Sequence, residues 1–167
     1  MFTPAMAGTG YRLRYSYSGD SNFTAPAAGQ SAAFDINKHT TVVAFSAALP
    51  FGIGSANAAV NGTAYNLTIH VADNDGHAAL IPGGTVTVLV NKTSGSWACG
   101  TDYTISAGSC AGGVQTLTLD GSGNATFSIT FKASAVSAGN SFTLNFIPTA
   151  STNFIGSNSN SAGFDVK

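Results

Sequence analysis

The two cysteines are the most reactive side chains in this 167-residue chain, and their setting predicts a disulfide. Cys99 and Cys110 are the only thiols and lie among several glycines in a polar segment. A bridge between them would close a loop of about a dozen residues and contribute about 3 kcal/mol to stability. Two unrelated buried thiols are the alternative, disfavoured because neither cysteine takes a core-facing position of an alternating strand. No Cys-x-x-Cys pair or nearby histidine completes a metal-ligand set. We therefore expect a disulfide and an oxidising compartment.

Two aspartates form a second group with possible chemistry. The segment Asp73-Asn-Asp-Gly76 places two carboxylates and an amide in three consecutive positions. Such oxygens could supply part of a calcium shell, but Asp-Gly is also an ordinary tight-turn pair. The chain has no Glu to act as a bidentate ligand. The turn is favoured, Asp73 and Asp75 remain weak calcium candidates, and no other cofactor is expected.

Two aromatic residues are candidates for contact with a ligand. Trp97 and Tyr103 lie in the segment that contains the cysteines, away from the alternating strands. Exposed aromatic rings stack on sugars or on partner side chains. A single Trp in a loop more often packs over the edge of its own sheet. A carbohydrate- or protein-binding module that uses the Trp97 loop is therefore the alternative function.

Catalysis is not expected. The three histidines are His39 in a predicted inter-domain junction, His70 on the outer face of a strand, and His77 in a loop. A catalytic triad would need one of them beside a nucleophile in a pocket.

The low charge argues against a nucleic acid or an anionic membrane as partner. Only 8% of residues are charged and the net charge is −1, so the sequence has no excess of positive charge that would attract them. No apolar run reaches the roughly 18 residues of a membrane span; if the protein is exported, its signal is expected outside these residues.

Alternating apolar and polar residues dominate the chain and predict β-strands. The alternating apolar sets are Tyr65, Leu67, Ile69 and Val71; Val86, Val88 and Val90; Leu117 and Leu119; Phe127, Ile129 and Phe131; and Phe142, Leu144 and Phe146. Turn clusters separate them at 73–76, 82–84, 120–124 and 138–140. No helical period is present. The pattern predicts an all-β antiparallel sandwich.

An internal repeat divides the chain. Residues 7–23 align with 138–154 at a constant offset of 131, and 33–36 align with 163–166 after a gap of one residue. In the first copy, Tyr11, Leu13, Tyr15 and Tyr17 alternate on the face expected to point inward. Residues 1–37 are therefore predicted to be the closing hairpin of a preceding domain, and residues 38–167 one complete domain.

The repeated segment carries a family resemblance. Its motif is Tyr17, Gly19, Asp20, Asn22 and Phe23, and the second copy keeps Asn153 and Phe154. With the Pro82-Gly-Gly-Thr-Val-Thr-Val88 strand, this motif resembles the bacterial Ig-like repeat domains of large surface proteins. The resemblance implies an immunoglobulin-like sandwich of seven strands, tandem arrays on secreted or cell-surface proteins, and no catalytic residues. The segment 97–113 departs from the family pattern as an insertion.

These observations favour a non-enzymatic extracellular module that acts as a stalk, fibre or adhesive segment. A lone two-strand hairpin is marginal in water, so strands from elsewhere are expected to complete residues 1–37. A longer tandem array is favoured as their source. The alternatives are strand addition onto an identical subunit and packing beside the complete domain. A surface glycan or protein is the other expected partner, and nucleic acid and membrane insertion in this segment are not expected.

Overall fold

The computed structural model describes residues 7–76, 81–92, 97–107, 110, 114–132 and 137–167, and in the last range the side chains from residue 142 onward. The chain divides into two compact units, Met1–Lys38 and His39–Lys167. The division falls one residue after the predicted boundary. His77 lies outside the described residues. The described residues include no helix long and apolar enough to cross a membrane.

Unit 1 is a hairpin of paired short strands. Its strands are β1 (Gly8–Tyr11), β2 (Arg14–Tyr15), β3 (Gly29–Gln30) and β4 (Phe34–Ile36). β1 pairs antiparallel with β4, and β2 pairs antiparallel with β3. We call this set of four strands hairpin 1.

Unit 2 contains ten strands among its described residues. They are β5 (His39–Phe45), β6 (Ala64–Asp73), β7 (Thr85–Lys92), β8 (Tyr103–Ile105), β9 (Gln115–Thr118), β10 (Asn124–Phe131), β11 (Ser137–Pro148), β12 (Phe154–Ile155), β13 (Ser159–Asn160) and β14 (Phe164–Val166). One sheet has the order β12-β5-β6-β10-β8, and the other has β13-β11-β7-β9 with β14 also paired to β11. We call β11, β13 and β14 hairpin 2.

The core lies between the two sheets, as the alternation predicts. Leu67, Ile69 and Val71 of β6 are buried, as are Phe127, Ile129 and Phe131 of β10. From the other sheet, Val86, Val88 and Val90 of β7 join Phe142, Leu144 and Phe146 of β11 in the same apolar cluster. These faces exclude water from one side of each sheet, which is the main stabilising contribution. The all-β sandwich is confirmed, and its arrangement is compatible with an immunoglobulin-like fold.

Uncharged pairs cover parts of the outer faces. The hydroxyls of Thr68 and Thr126 lie 2.9 Å apart on neighbouring strands, and those of Thr85 and Thr149 lie 2.8 Å apart. His70 Nδ1 lies 2.9 Å from Asn124 Oδ1 on the same face as the first pair. These cross-strand hydrogen bonds link neighbouring segments without ionic contacts.

Two local expectations were wrong. The predicted turn at 138–140 lies inside β11, where the pairing with β14 shifts register between Ser137 and Phe142. The Gly-Asn pair therefore lies at an irregularity of the strand rather than at a chain reversal. His39 begins β5 instead of lying in a junction. The short strands β8, β12 and β13 add to the seven strands that the family resemblance implies.

We predict that Asp120→Ala lowers the melting temperature of the chain at about pH 7 and that this loss becomes smaller as the pH is lowered to about 2. Asp120 Oδ1 accepts 2.8 Å hydrogen bonds from the backbone N–H groups of Asn124 and Ser122 in the turn before β10. These two bonds hold the pKa of Asp120 below its ordinary value of 3.8, and the bond from Asn124 makes the larger contribution. The stabilisation is therefore complete above that value and is lost as the pH falls through the lower, folded-state pKa. Thermal unfolding followed by circular dichroism checks this, and an equal loss at both pH values would contradict it.

Candidate functional site

The two hairpins have the same strand pairing. In hairpin 1, Tyr11 is opposite Phe34, Arg14 is opposite Gln30, and Tyr15 is opposite Gly29. In hairpin 2 the corresponding pairs are Phe142 with Phe164, Asn145 with Asn160, and Phe146 with Ser159. These three pairs of hairpin 2 lie 131 residues further along the first strand and 130 along the second, whereas the outermost pairs, Gly8–Ile36 and Ser137–Val166, differ by 129 on the first strand because the register shifts in both hairpins. This is the register that the sequence repeat predicts.

A serine makes the same three contacts in both copies. The Ser31 N–H donates to Leu13 O at 2.9 Å, Leu13 N–H donates to Ser31 Oγ at 3.0 Å, and Ser31 Oγ donates to Ala32 O at 2.7 Å. Ser161 repeats these contacts with Leu144 and Ala162 at 2.8, 2.8 and 2.7 Å. Sequence reasoning missed both serines, although their spacing of 130 matches that of the second strands. The copies therefore agree in side-chain contacts as well as in backbone pairing.

The family motif forms the turn of hairpin 1. Asp20 Oδ1 accepts from the N–H groups of Asn22 and Phe23, and the Tyr17 hydroxyl donates to Asp20 Oδ2 at 2.5 Å. The hydrogen bond from Tyr17 lowers the pKa of Asp20 and raises that of Tyr17. Gly19 has φ +80°, and a Cβ there would lie 2.9 Å from the backbone of Phe23. Only glycine fits this turn without strain.

The second copy keeps the turn with other residues. Asp20 N–H donates to Phe23 O at 2.9 Å in hairpin 1, and Ser151 N–H donates to Phe154 O at 3.0 Å in unit 2. Asn153 O accepts a 2.8 Å hydrogen bond from His39 N–H, and Phe154 is opposite His39 in the parallel pairing of β12 with β5. The retained Asn-Phe pair thus joins the turn to the first strand of the sandwich.

The two copies differ in what covers them. The aromatic residues of the second copy, Phe142, Phe146, Phe154 and Phe164, are all buried. They are covered because β11 pairs with β7 over seven residue pairs and β12 pairs with β5. In the first copy the equivalents of Phe146 and Phe154 are Tyr15 and Phe23, which are 65% and 68% exposed. Among its described residues, unit 1 has no strand in the positions of β7 and β5.

The aromatic residues of the insertion do not form an exposed pair. Tyr103 is fully buried in β8 opposite Phe131, and this burial raises the pKa of its hydroxyl. Val90 N–H donates to that hydroxyl at 3.4 Å. The Trp97 ring is partly buried, with its centre 4.0 Å from that of Phe142. The expectation that Tyr103 offers a surface contact is therefore wrong, and Trp97 covers the edge of the core.

The predicted disulfide is present, in a different setting. Cys99 and Cys110 are bridged, with their Cα atoms 5.3 Å apart. Cys99 is buried in the core cluster instead of lying in a polar loop. The Oε1 atom of Gln115, a fully buried residue, lies 3.7 Å from Cys99 Sγ and 3.4 Å from Cys110 Sγ. The bridge therefore closes a loop within the insertion, starting from a cysteine that is part of the core cluster, and it is consistent with a location outside the cytoplasm.

The two predicted calcium candidates lie beside a histidine. His39 Nδ1 is 3.0 Å from Asp73 Oδ2 and 3.9 Å from Asp75 Oδ2. Asp73 ends β6, which pairs antiparallel with β5, so the start of one strand meets the end of the other. Sequence reasoning missed His39 because it assigned that residue to a junction. The signal in the sequence was that His39 directly precedes the run Thr40-Thr-Val-Val43, which is typical of an opening strand.

Comparisons of the chain with protein-family models, with curated proteins and with solved structures gave no match. The Ig-like repeat family therefore stays a prediction that rests on the sequence motif and on the duplicated hairpin.

We predict that the double variant Cys99→Ala/Cys110→Ala lowers the free energy of unfolding by about 3 kcal/mol, because the bridge restricts the unfolded chain. Urea denaturation of both proteins measures the difference. Reduction of the native chain should cause a similar loss and should leave the variant unchanged. Equal stability of the native chain and the variant would contradict the stabilising role of the bridge.

Proposed function

We propose that this chain is a non-enzymatic structural segment of an extracellular or cell-surface protein built from tandem Ig-like sandwiches. Unit 2 is one such sandwich. Hairpin 1 closes a neighbouring sandwich whose remaining strands correspond to β5–β10. The segment acts as a stalk, spacer or adhesive arm. The observation that carries this proposal is the agreement of the two hairpins in three strand pairs and in the contacts of Ser31 and Ser161.

The exposed face of hairpin 1 supports a partner of this kind. Tyr15 and Phe23 are mostly exposed, and Leu13 and Tyr17 are about half exposed. An apolar face and unpaired strand edges in water favour association. Unit 2 shows what covers the same hairpin, namely a strand in the position of β7 and a strand in the position of β5.

The arrangement of unit 2 favours completion within one polypeptide. Hairpin 2 already occupies the position beside β7, with Leu144 opposite Val90 and Phe146 opposite Val88. A second copy of this chain could accept hairpin 1 in its unit 2 only by displacing hairpin 2. Strand exchange between identical subunits is therefore the less favoured route.

The surface and the disulfide support an extracellular structural role. Few residues are charged, and hydroxyl and amide pairs cover parts of the sheets. Such a surface makes few nonspecific ionic contacts. A ligand-binding function through Trp97 gains less support, because that ring packs on Phe142.

We predict that hairpin 1 folds into a second sandwich when the missing strands are supplied. The test protein places a second copy of residues 39–137 directly before residue 7 of the chain. The expected result is two folded domains, with about twice the calorimetric enthalpy of unfolding of unit 2 alone. Backbone amides of residues 11–15 should become protected from hydrogen exchange.

Two matched variants of this fusion control the result. Tyr15 corresponds to buried Phe146, so Tyr15→Ser should unfold the added sandwich and leave unit 2 intact. Arg12 corresponds to Thr143, whose side chain alternates away from the core, so Arg12→Ser should leave both domains folded. Unprotected amides in the fusion, or equal effects of the two variants, would overturn the proposal.

A further inference from the structure

Three side chains with metal-binding atoms converge where β5 begins and β6 ends. His39, Asp73 and Asp75 each offer one ligand atom, and these atoms lie within 4.8 Å of one another. Metal–ligand bonds of about 2 Å place neighbouring ligand atoms about 3 Å apart. The 3.0 Å between His39 Nδ1 and Asp73 Oδ2 already matches such a separation. Only Asp75, in the turn after β6, must approach more closely.

The surrounding structure orients all three residues. Thr40 donates to both oxygens of Asp75, from its N–H at 2.7 Å and from its hydroxyl at 3.1 Å. Asp75 N–H donates to Asp73 Oδ1 at 2.8 Å, while Asp73 Oδ2 faces the imidazole. The His39 ring packs edge-on against Phe154, with the ring centres 6.1 Å apart. Outer contacts of this kind hold metal ligands in a defined orientation.

The charges of the cluster favour a divalent cation. Two carboxylates face a single imidazole nitrogen, and the Asp73 side chain is only 1% exposed. Burial of a carboxylate is costly unless its charge is compensated. A divalent ion bound at these atoms would offset the charges of both carboxylates. The Asp75 side chain is 44% exposed, which leaves a route from solvent.

We propose that His39, Asp73 and Asp75 bind one divalent transition-metal ion of the zinc class, with water completing its coordination. An imidazole nitrogen beside two carboxylates suits zinc and its neighbours, whereas calcium takes six to eight oxygen ligands. The proposal therefore replaces the calcium expected at Asp73 and Asp75 with a metal of a different class. The bound ion ties the start of β5 to the end of β6, next to the Asn153–Phe154 turn.

The test is calorimetric titration of the full 167-residue chain with Zn²⁺ after treatment with a chelator, followed by a separate titration with Ca²⁺. We expect one Zn²⁺ per chain, a higher melting temperature with zinc, and weaker binding of Ca²⁺. His39→Ala and Asp75→Asn should each weaken the affinity for Zn²⁺ at least about tenfold. Asp75→Asn keeps a side-chain oxygen that can accept a hydrogen bond from Thr40, so this variant is expected to retain the turn. It therefore tests the proposal even if His39→Ala perturbs folding.

The matched control is His70→Ala. His70 also lies on the outer face of unit 2, but its ring contacts Asn124 and takes no part in the cluster. This variant should bind Zn²⁺ as the native chain does. The proposal would be overturned if the chain did not bind Zn²⁺ or if it bound Ca²⁺ more tightly than Zn²⁺. It would also be overturned if neither His39→Ala nor Asp75→Asn changed the affinity for Zn²⁺, or if His70→Ala reduced that affinity as much as they do. None of these results bears on the duplicated hairpin.

Discussion

The pairing of β11 with β7 is the interaction on which the sandwich of unit 2 depends. It aligns Leu144 with Val90 and Phe146 with Val88, and so brings the aromatic side of hairpin 2 onto the core. Hairpin 1 repeats the internal pairing and the serine contacts but lacks this neighbour among the described residues. Tyr15, the equivalent of Phe146, is 65% exposed, and Phe23 is 68% exposed where its equivalent Phe154 is covered by the pairing of β12 with β5. The same hairpin is therefore seen once with its partner strands and once without them.

The Asn-Phe pair connects this interaction to the proposed metal centre. Phe154 is buried beside His39, and Asn153 accepts the backbone N–H of His39. The turn of hairpin 2 thus contacts the first strand at His39, whose Nδ1 lies 3.0 Å from Asp73 Oδ2. In a tandem array, the corresponding turn of hairpin 1 would meet the first strand of its own sandwich through Phe23.

The sequence predicted the elements whose signal is local and repeated. The alternation in β6 and β10 is long enough to define the inner face, and the offset of 131 predicted the hairpin register. The burial of Tyr103 could not be predicted, because β8 has only three residues and its direction depends on pairing with β10. The grouping of His39 with Asp73 depends on a strand pairing that local spacing does not encode. The Gly-Asn pair of β11 could not be assigned correctly from the sequence, because turns and irregular positions of a strand use the same residues.

Hydrogen exchange of the 167-residue chain by itself tests the central claim most directly. The two hairpins share register and contacts, so any difference in protection between them reports the strands that cover them. The account predicts that the amides of residues 11–15 exchange at least about a hundredfold faster than those of residues 142–146. Equal protection of the two segments would show that hairpin 1 is already covered in this chain, and would contradict its assignment to a neighbouring sandwich.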